Sequence, residues 1–179
     1  MSGARTLPGL ARGTARFSPC GTWRYYLSRE LGGKRGRYVA ILCNPSTADE
    51  SVDDPTVRRV TGFARRWGAS RLEVLNAFAF RATDPRRMHE AAARGVDVVG
   101  PENDATILDV CAGAGIVVCG WGTNGELLGR GPALEARLSD AGVTLNAWKL
   151  TAAGHPGHPL YLPGRDGEVS TFFRRFFSQ

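Results

Sequence analysis

Hydrophobic and polar positions along the chain fall into alternating blocks. Tyr38-Val39-Ala40-Ile41-Leu42-Cys43 is a continuous apolar run, the pattern of a strand buried on both faces. Apolar runs over residues 72–78, 116–120 and 143–148 read as three more strands. Between the strands the apolar period lengthens to that of a helix. Val57, Val60, Phe63, Ala64 and Trp67 repeat at helical spacing behind an Asp54-Pro55 start and ahead of a Gly68 stop. Further helices are predicted over 104–112 and 132–141, the second ended by Gly142. Residues 15–31 read as a β-hairpin, its turn signalled by Pro19 and Gly21. Phe172, Phe173, Phe176 and Phe177 around Arg174 and Arg175 predict an amphipathic C-terminal helix docked on the core. Residues 1–13 read as a flexible basic arm, leaving 14–179 as a single domain. The predicted fold class is α/β: a three-layer sandwich with a central four-stranded parallel sheet, an N-terminal β-hairpin and a C-terminal helix.

Composition narrows the classes. With 42% hydrophobic and 22% charged residues the chain can bury a core and does not read as disordered. No apolar run is long enough to span a bilayer and no secretory signal is visible, so a cytoplasmic monomer without a membrane partner is expected. The four cysteines, Cys20, Cys43, Cys111 and Cys119, form no CxxC pair, so neither a metal nor a cofactor is expected. Cys43, Cys111 and Cys119 read as buried thiols, with a catalytic role for Cys43 left open. The net charge of +6 is carried almost wholly by arginine, a planar fork suited to phosphate, which makes DNA or a nucleotide a plausible partner.

In parallel sheets, functional groups gather on loops beyond the strands' carboxyl ends. Those loops here carry Asn44-Pro45-Ser46-Thr47-Ala48-Asp49, then Phe78, Phe80 and Arg81 behind Asn76, then Trp121-Gly122-Thr123-Asn124, then His155 and His158 ahead of Leu160 and Tyr161. They contain no Walker loop, no dinucleotide GxGxxG and no GxSxG elbow. Amides, carboxylates and histidines remain. Asn76 suits either the edge of a nucleobase or the tying of a neighbouring loop. Asn44-Pro45 can hold a water or start a turn. Ser46 can be a nucleophile with His158 as base, or a turn former. Asp49 supplies a carboxylate, whereas Asp54 is read as spent on its helix cap.

The segments FSPCGTWRYYLSREL, LCNPSTADE, DDPTVRRVTGFARRWG, LEVLNAFAFRATDP, VGPEND and HPLYL closely resemble a bacterial and phage family known as domain of unknown function 1643, over residues 17–162. The order of motifs is also similar to that of the uracil-DNA glycosylase superfamily, whose fold is a four-stranded parallel sheet between helices. Asn44-Pro45-Ser46 resembles that family's Asn-Pro-Gly loop, Asn76 its base-reading asparagine, and His158-Pro159 with Leu160 and Tyr161 its His-Pro loop and apolar wedge. The resemblance implies a base-excision glycosylase acting on DNA. Asn44 and Asp49 would orient water and His158 would support charge on the departing base. Asn76, Phe78 or Phe80, and Trp121 would hold the flipped base, and Arg81 would meet phosphate. The water-activating aspartate of the most active glycosylases has no unambiguous counterpart, and the iron–sulfur cysteines are missing. A hydrolase of free nucleosides or nucleotides, and a non-catalytic nucleic-acid or ligand-binding module, are the alternatives.

Overall fold

The computed structural model describes residues 13–162 and 170–171. Residues 1–12 of the predicted arm and the predicted C-terminal helix lie outside the described residues, and Gly13 opens the first strand. One sheet is built from β1 (Gly13–Phe17), β2 (Arg24–Glu30), β3 (Arg35–Leu42), β4 (Ala69–Asn76), β5 (Ile116–Gly120), β6 (Leu145–Ala147) and β7 (Ser170–Thr171), in the order β1-β2-β4-β3-β5-β6-β7. The four inner strands β4-β3-β5-β6 run parallel, whereas β1, β2 and β7 join antiparallel at the two edges.

The fold is therefore mixed α/β, and the expected strand count changes. The hairpin is no appendage: β2 pairs with β4, with Leu27 opposite Val74. Tyr25 and Leu27 are fully buried there, and a detached hairpin would leave both in water.

Helices α1 (Pro55–Trp67), α2 (Pro85–Ala93), α3 (Asn103–Cys111) and α4 (Arg130–Asp140) follow the parallel strands. Strand alternation sorts the core into two layers. Tyr38, Ala40 and Leu42 pack with Val57, Val60, Phe63 and Ala64 of α1. Val39, Ile41 and Cys43 pack on the opposite face with Met88, Ile107 and Leu134 of the other three helices. Helix α1 starts as predicted, with the Asp54 carboxylate accepting the Val57 N–H (2.8 Å) and Pro55 in the first turn; it ends at Gly68, whose φ of 85° suits glycine. Helix α2 has no counterpart among the predicted elements; it starts on an Asp84 cap with Pro85 in the first turn, as α1 does on Asp54-Pro55, and buries only Met88 and Ala91. Among the described residues no helix is long and apolar enough to cross a membrane.

The chain leaves β3 for β4 on one side and later enters β5 on the other. The loops behind β3 and β5 must therefore diverge, and a crevice opens between them, which is where ligands of open α/β sheets sit.

Candidate functional site

A cavity of about 570 Å³ occupies that crevice. Its walls come from all four loops: Asn44, Ser46 and Asp54 behind β3, Ala82 and Thr83 behind β4, Trp121 to Asn124 behind β5, and Lys149 with His158, Leu160, Tyr161 and Leu162 behind β6. Of the residues singled out from the sequence, the structure brings Asn44, Ser46, Trp121, His158, Leu160 and Tyr161 together here.

The His158 loop is pinned from three sides. The Gly122 N–H donates to the Pro156 carbonyl (2.8 Å), the Gly157 N–H to the Lys149 carbonyl (2.7 Å), and the Thr151 N–H to the His155 carbonyl (2.8 Å). Gly122 has φ 65° and ψ −163°, a combination open only to glycine, and it lies against the His158 backbone and Cβ. Buried His155 closes the loop through Glu126 (2.6 Å).

His158 itself is mostly shielded from water, and burial pulls its imidazole down to about 4 from the ordinary 6.5, against an opposing field from Asp54. The ring is neutral at pH 7. Its Nδ1 accepts the Leu160 N–H (3.4 Å), so the ring proton belongs to Nε2, which has no partner among the described residues. The site thus holds an uncharged N–H donor of fixed tautomer.

Asp54 is the residue sequence reasoning passed over. Its Oδ1 caps α1, but a carboxylate has two oxygens, and Asp54 also lines the cavity while only 8% exposed. Its charge acts on His158 and on the buried guanidinium of Arg24, which burial lowers to about 10. The Asp-Pro helix start located this residue at the loop's end; that start accounts for one oxygen only.

Asn44 donates Nδ2 to the Ala82 carbonyl (2.8 Å) and to the Pro45 carbonyl (3.2 Å), which fixes the amide orientation and leaves Oδ1 as the acceptor. Trp121, 1% exposed, contributes to the wall, and its indole N–H has no partner among the described residues. Leu160 and Tyr161 are exposed at the rim, 43% and 86%, with the Tyr161 ring 5.7 Å from that of His158. No hydrogen bond links Ser46 to His158 among the described residues, and burial pushes the Cys43 thiol up to about 12. Neither side chain is therefore set up as an activated nucleophile.

The other candidates lie elsewhere. Asn76 is buried beneath the sheet edge, its Oδ1 accepting from Arg24 Nη2 (3.2 Å). Asp49 does not line the cavity; its Oδ1 accepts the N–H groups of Ser51 (2.8 Å) and Val52 (2.7 Å), which hold its carboxyl below the usual range. Phe78 is a core residue with no exposure, and Pro45 is buried behind the loop. Phe80 and Arg81 line a second, more open cleft of about 790 Å³, which shares the Ser46-Thr47 and Ala82-Thr83 walls with the cavity. Among the described residues no group of three or more His, Cys, Asp or Glu could hold a metal ion.

Fold and site together define an α/β protein with a preformed pocket at its sheet's switch point. The chain belongs to the family described as "Protein of unknown function (DUF1643)", whose model matches residues 24–160. No curated protein and no solved structure matches it.

Proposed function

We propose that the cavity takes a nucleobase and hydrolyses its N-glycosidic bond, as a base-excision glycosylase acting on DNA does. The observation that carries this reading is the neutral, tautomer-fixed His158 beside the carboxylate of Asp54. Breaking an N-glycosidic bond sends the electron pair to the base and leaves positive charge on the sugar. A fixed N–H donor stabilises the first charge without having to give up its proton, and a carboxylate stabilises the second. Water then supplies hydroxide to C1′, its proton passing to the Asp54 carboxylate or to the departing base. Asn44 Oδ1 is available to orient that water or a base N–H. The similarity of motif order to the uracil-DNA glycosylase superfamily supports the same chemistry, with Asp54 rather than Asp49 in the water-orienting role. The exposed Leu160 and Tyr161 suit an apolar wedge at the mouth.

The test is release of a base from single- and double-stranded oligonucleotides carrying uracil, hypoxanthine, mismatches or phage-type modified bases, read as strand scission after mild alkali. Asp54→Asn is the decisive variant, because asparagine keeps the helix cap and removes only the charge. We expect excision to fall by about 10²–10³-fold with the melting temperature unchanged. Scission that persists undiminished in Asp54→Asn and His158→Ala, or none across the panel with folded protein, rejects the reading.

A further inference from the structure

We propose that the open cleft between Arg81 and α2 seats the phosphodiester backbone of a nucleic-acid strand whose base enters the adjoining cavity, so that the substrate is a polynucleotide rather than a free nucleoside or nucleotide. This rests on the reading of the cavity as a base pocket. The two compartments share the walls Ser46-Thr47 and Ala82-Thr83, so a ligand filling one continues into the other.

Charge in the cleft is one-sided. Arg81, Arg87 and Arg94 line it against a single carboxylate, Glu90. Arg81 is already fixed in place: its Nη1 donates to the Gly21 carbonyl (3.0 Å) and its guanidinium lies 4.8 Å from the Phe17 ring centroid. Arg87 and Arg94 form no ion pair or side-chain hydrogen bond among the described residues, and Glu90 forms none with either. A helix face built for self-pairing looks different, as Arg86 with Asp84 (2.6 Å) on the same helix shows. Arg87 in α2 and Arg94 at its C-terminal cap are seven residues apart, about 10 Å along the helix axis. Half-buried Phe80 offers the apolar surface on which a flanking base can stack.

The mouth carries its own reporter. Cys20 is the exposed one of four cysteines, next to Gly21 and two residues from Thr22 in the cleft wall. Hydrogen bonds involving Ser18 and Thr22 bring its thiol down to about 7, so it alkylates well before the three buried thiols.

The experiment measures binding of fluorescein-labelled ten-nucleotide oligothymidylate and oligouridylate as a function of salt, thymidine 5′-monophosphate binding by calorimetry, and Cys20 alkylation by iodoacetamide with and without each strand. Wild type is compared with Arg87→Ala/Arg94→Ala and with Arg87→Lys/Arg94→Lys. Both positions are exposed, so matching melting temperatures are expected. The Ala pair should bind the strand about tenfold or more weakly and lose ~1.4 from the slope of log affinity against log salt, while the Lys pair keeps most of that slope. Bound strand should slow Cys20 alkylation, and mononucleotide affinity should not change. Unchanged affinity and slope in the Ala pair, unprotected Cys20, or no binding of either strand at low salt overturns the proposal. The two readings fail separately. Strand binding that needs both arginines in a protein releasing no base keeps the cleft and removes the hydrolysis. Base release without any contribution from the arginines does the reverse.

Discussion

Two asparagines leave the carboxyl edge of the sheet beside each other and meet opposite fates. Asn76 ends β4 and is the register partner of Leu42; Asn44 follows Leu42 by two residues on the neighbouring strand. Around Asn76 the edge is plugged. Arg24 reaches Asn76 Oδ1, Asn103 Nδ2 donates to the carbonyls of Asn76 (3.0 Å) and Ala77 (3.2 Å), and Arg130 Nε donates to Ala77 (2.7 Å) with its far end on Asp104 (2.5 Å). Around Asn44 the edge is open, with polar groups lining a cavity. The difference comes from topology. β4 lies between β3 and the antiparallel β2, and Arg24 opens β2 beside the carboxyl end of β4. β3 instead faces β5 across the switch point, where nothing of that kind crosses. A plugged strand end spends its polar groups on folding, and an unplugged one keeps them for a ligand.

Acid should separate the two ends most strongly. The folded-state pKa of His158 is about 4 against an ordinary 6.5, so the unfolded chain takes up this proton first. Above pH 6.5 the group contributes no pH dependence. As pH falls from 6.5 towards 4 the unfolded state gains, and stability is lost up to about 3 kcal/mol before levelling off. Urea melts of wild type and His158→Gln at pH 7.5, 5.5 and 4.5 measure it; the variant should lose less over that interval. Equal losses in both proteins would show that the open end carries no buried neutral imidazole.

How far such behaviour can be read from sequence follows from the range of the interactions. The run from Tyr38 to Cys43 announces a strand buried on both faces because every neighbour it needs is apolar, and that held for β3. The Asp54-Pro55 start and Gly68 stop are local chemistry, and they held as well. That Asn44, Ser46, Trp121 and His158 meet at one cavity behind the parallel strands was legible, because strand ends are legible. Asn76 was ambiguous since its partners Arg24 and Asn103 lie 52 and 27 residues away. Helix α2 was missed although its Asp84-Pro85 start repeats the Asp54-Pro55 signal: the start was read as part of the loop behind β4, and nine residues with two buried side chains gave little else to find. Asp54 was undervalued for the opposite reason: one local role explained it fully.

The plugged end is tested next. Asn103 is completely buried, and its amide serves two carbonyls at once. Asn103→Ala takes the side-chain donor from the Asn76 carbonyl in a buried site, while the Ala77 carbonyl keeps Arg130 Nε (2.7 Å), and this costs about 1–3 kcal/mol. The measurement is the urea midpoint at unchanged slope, together with excision or strand binding per folded molecule, which should stay as in wild type. A variant that kept its stability but lost function would place the β4 end in the site after all, and erase the contrast between the two asparagines.

The smallest effect is at the rim. Tyr161 is 86% exposed, so Tyr161→Ala removes little packing and should change stability by less than about 0.5 kcal/mol. The same ring lies 5.7 Å from that of His158 and helps keep water from it. Desolvation is the first cause of the low His158 pKa, so removing the ring should raise that pKa from about 4 towards its ordinary value. Imidazole proton shifts followed by NMR between pH 3 and 8 read this directly, with His155 and His89 as internal comparisons. If the His158 titration does not move, its shielding comes from the loop backbone pinned by Gly122 and Gly157. The aromatic rim is then free of any part in setting the donor.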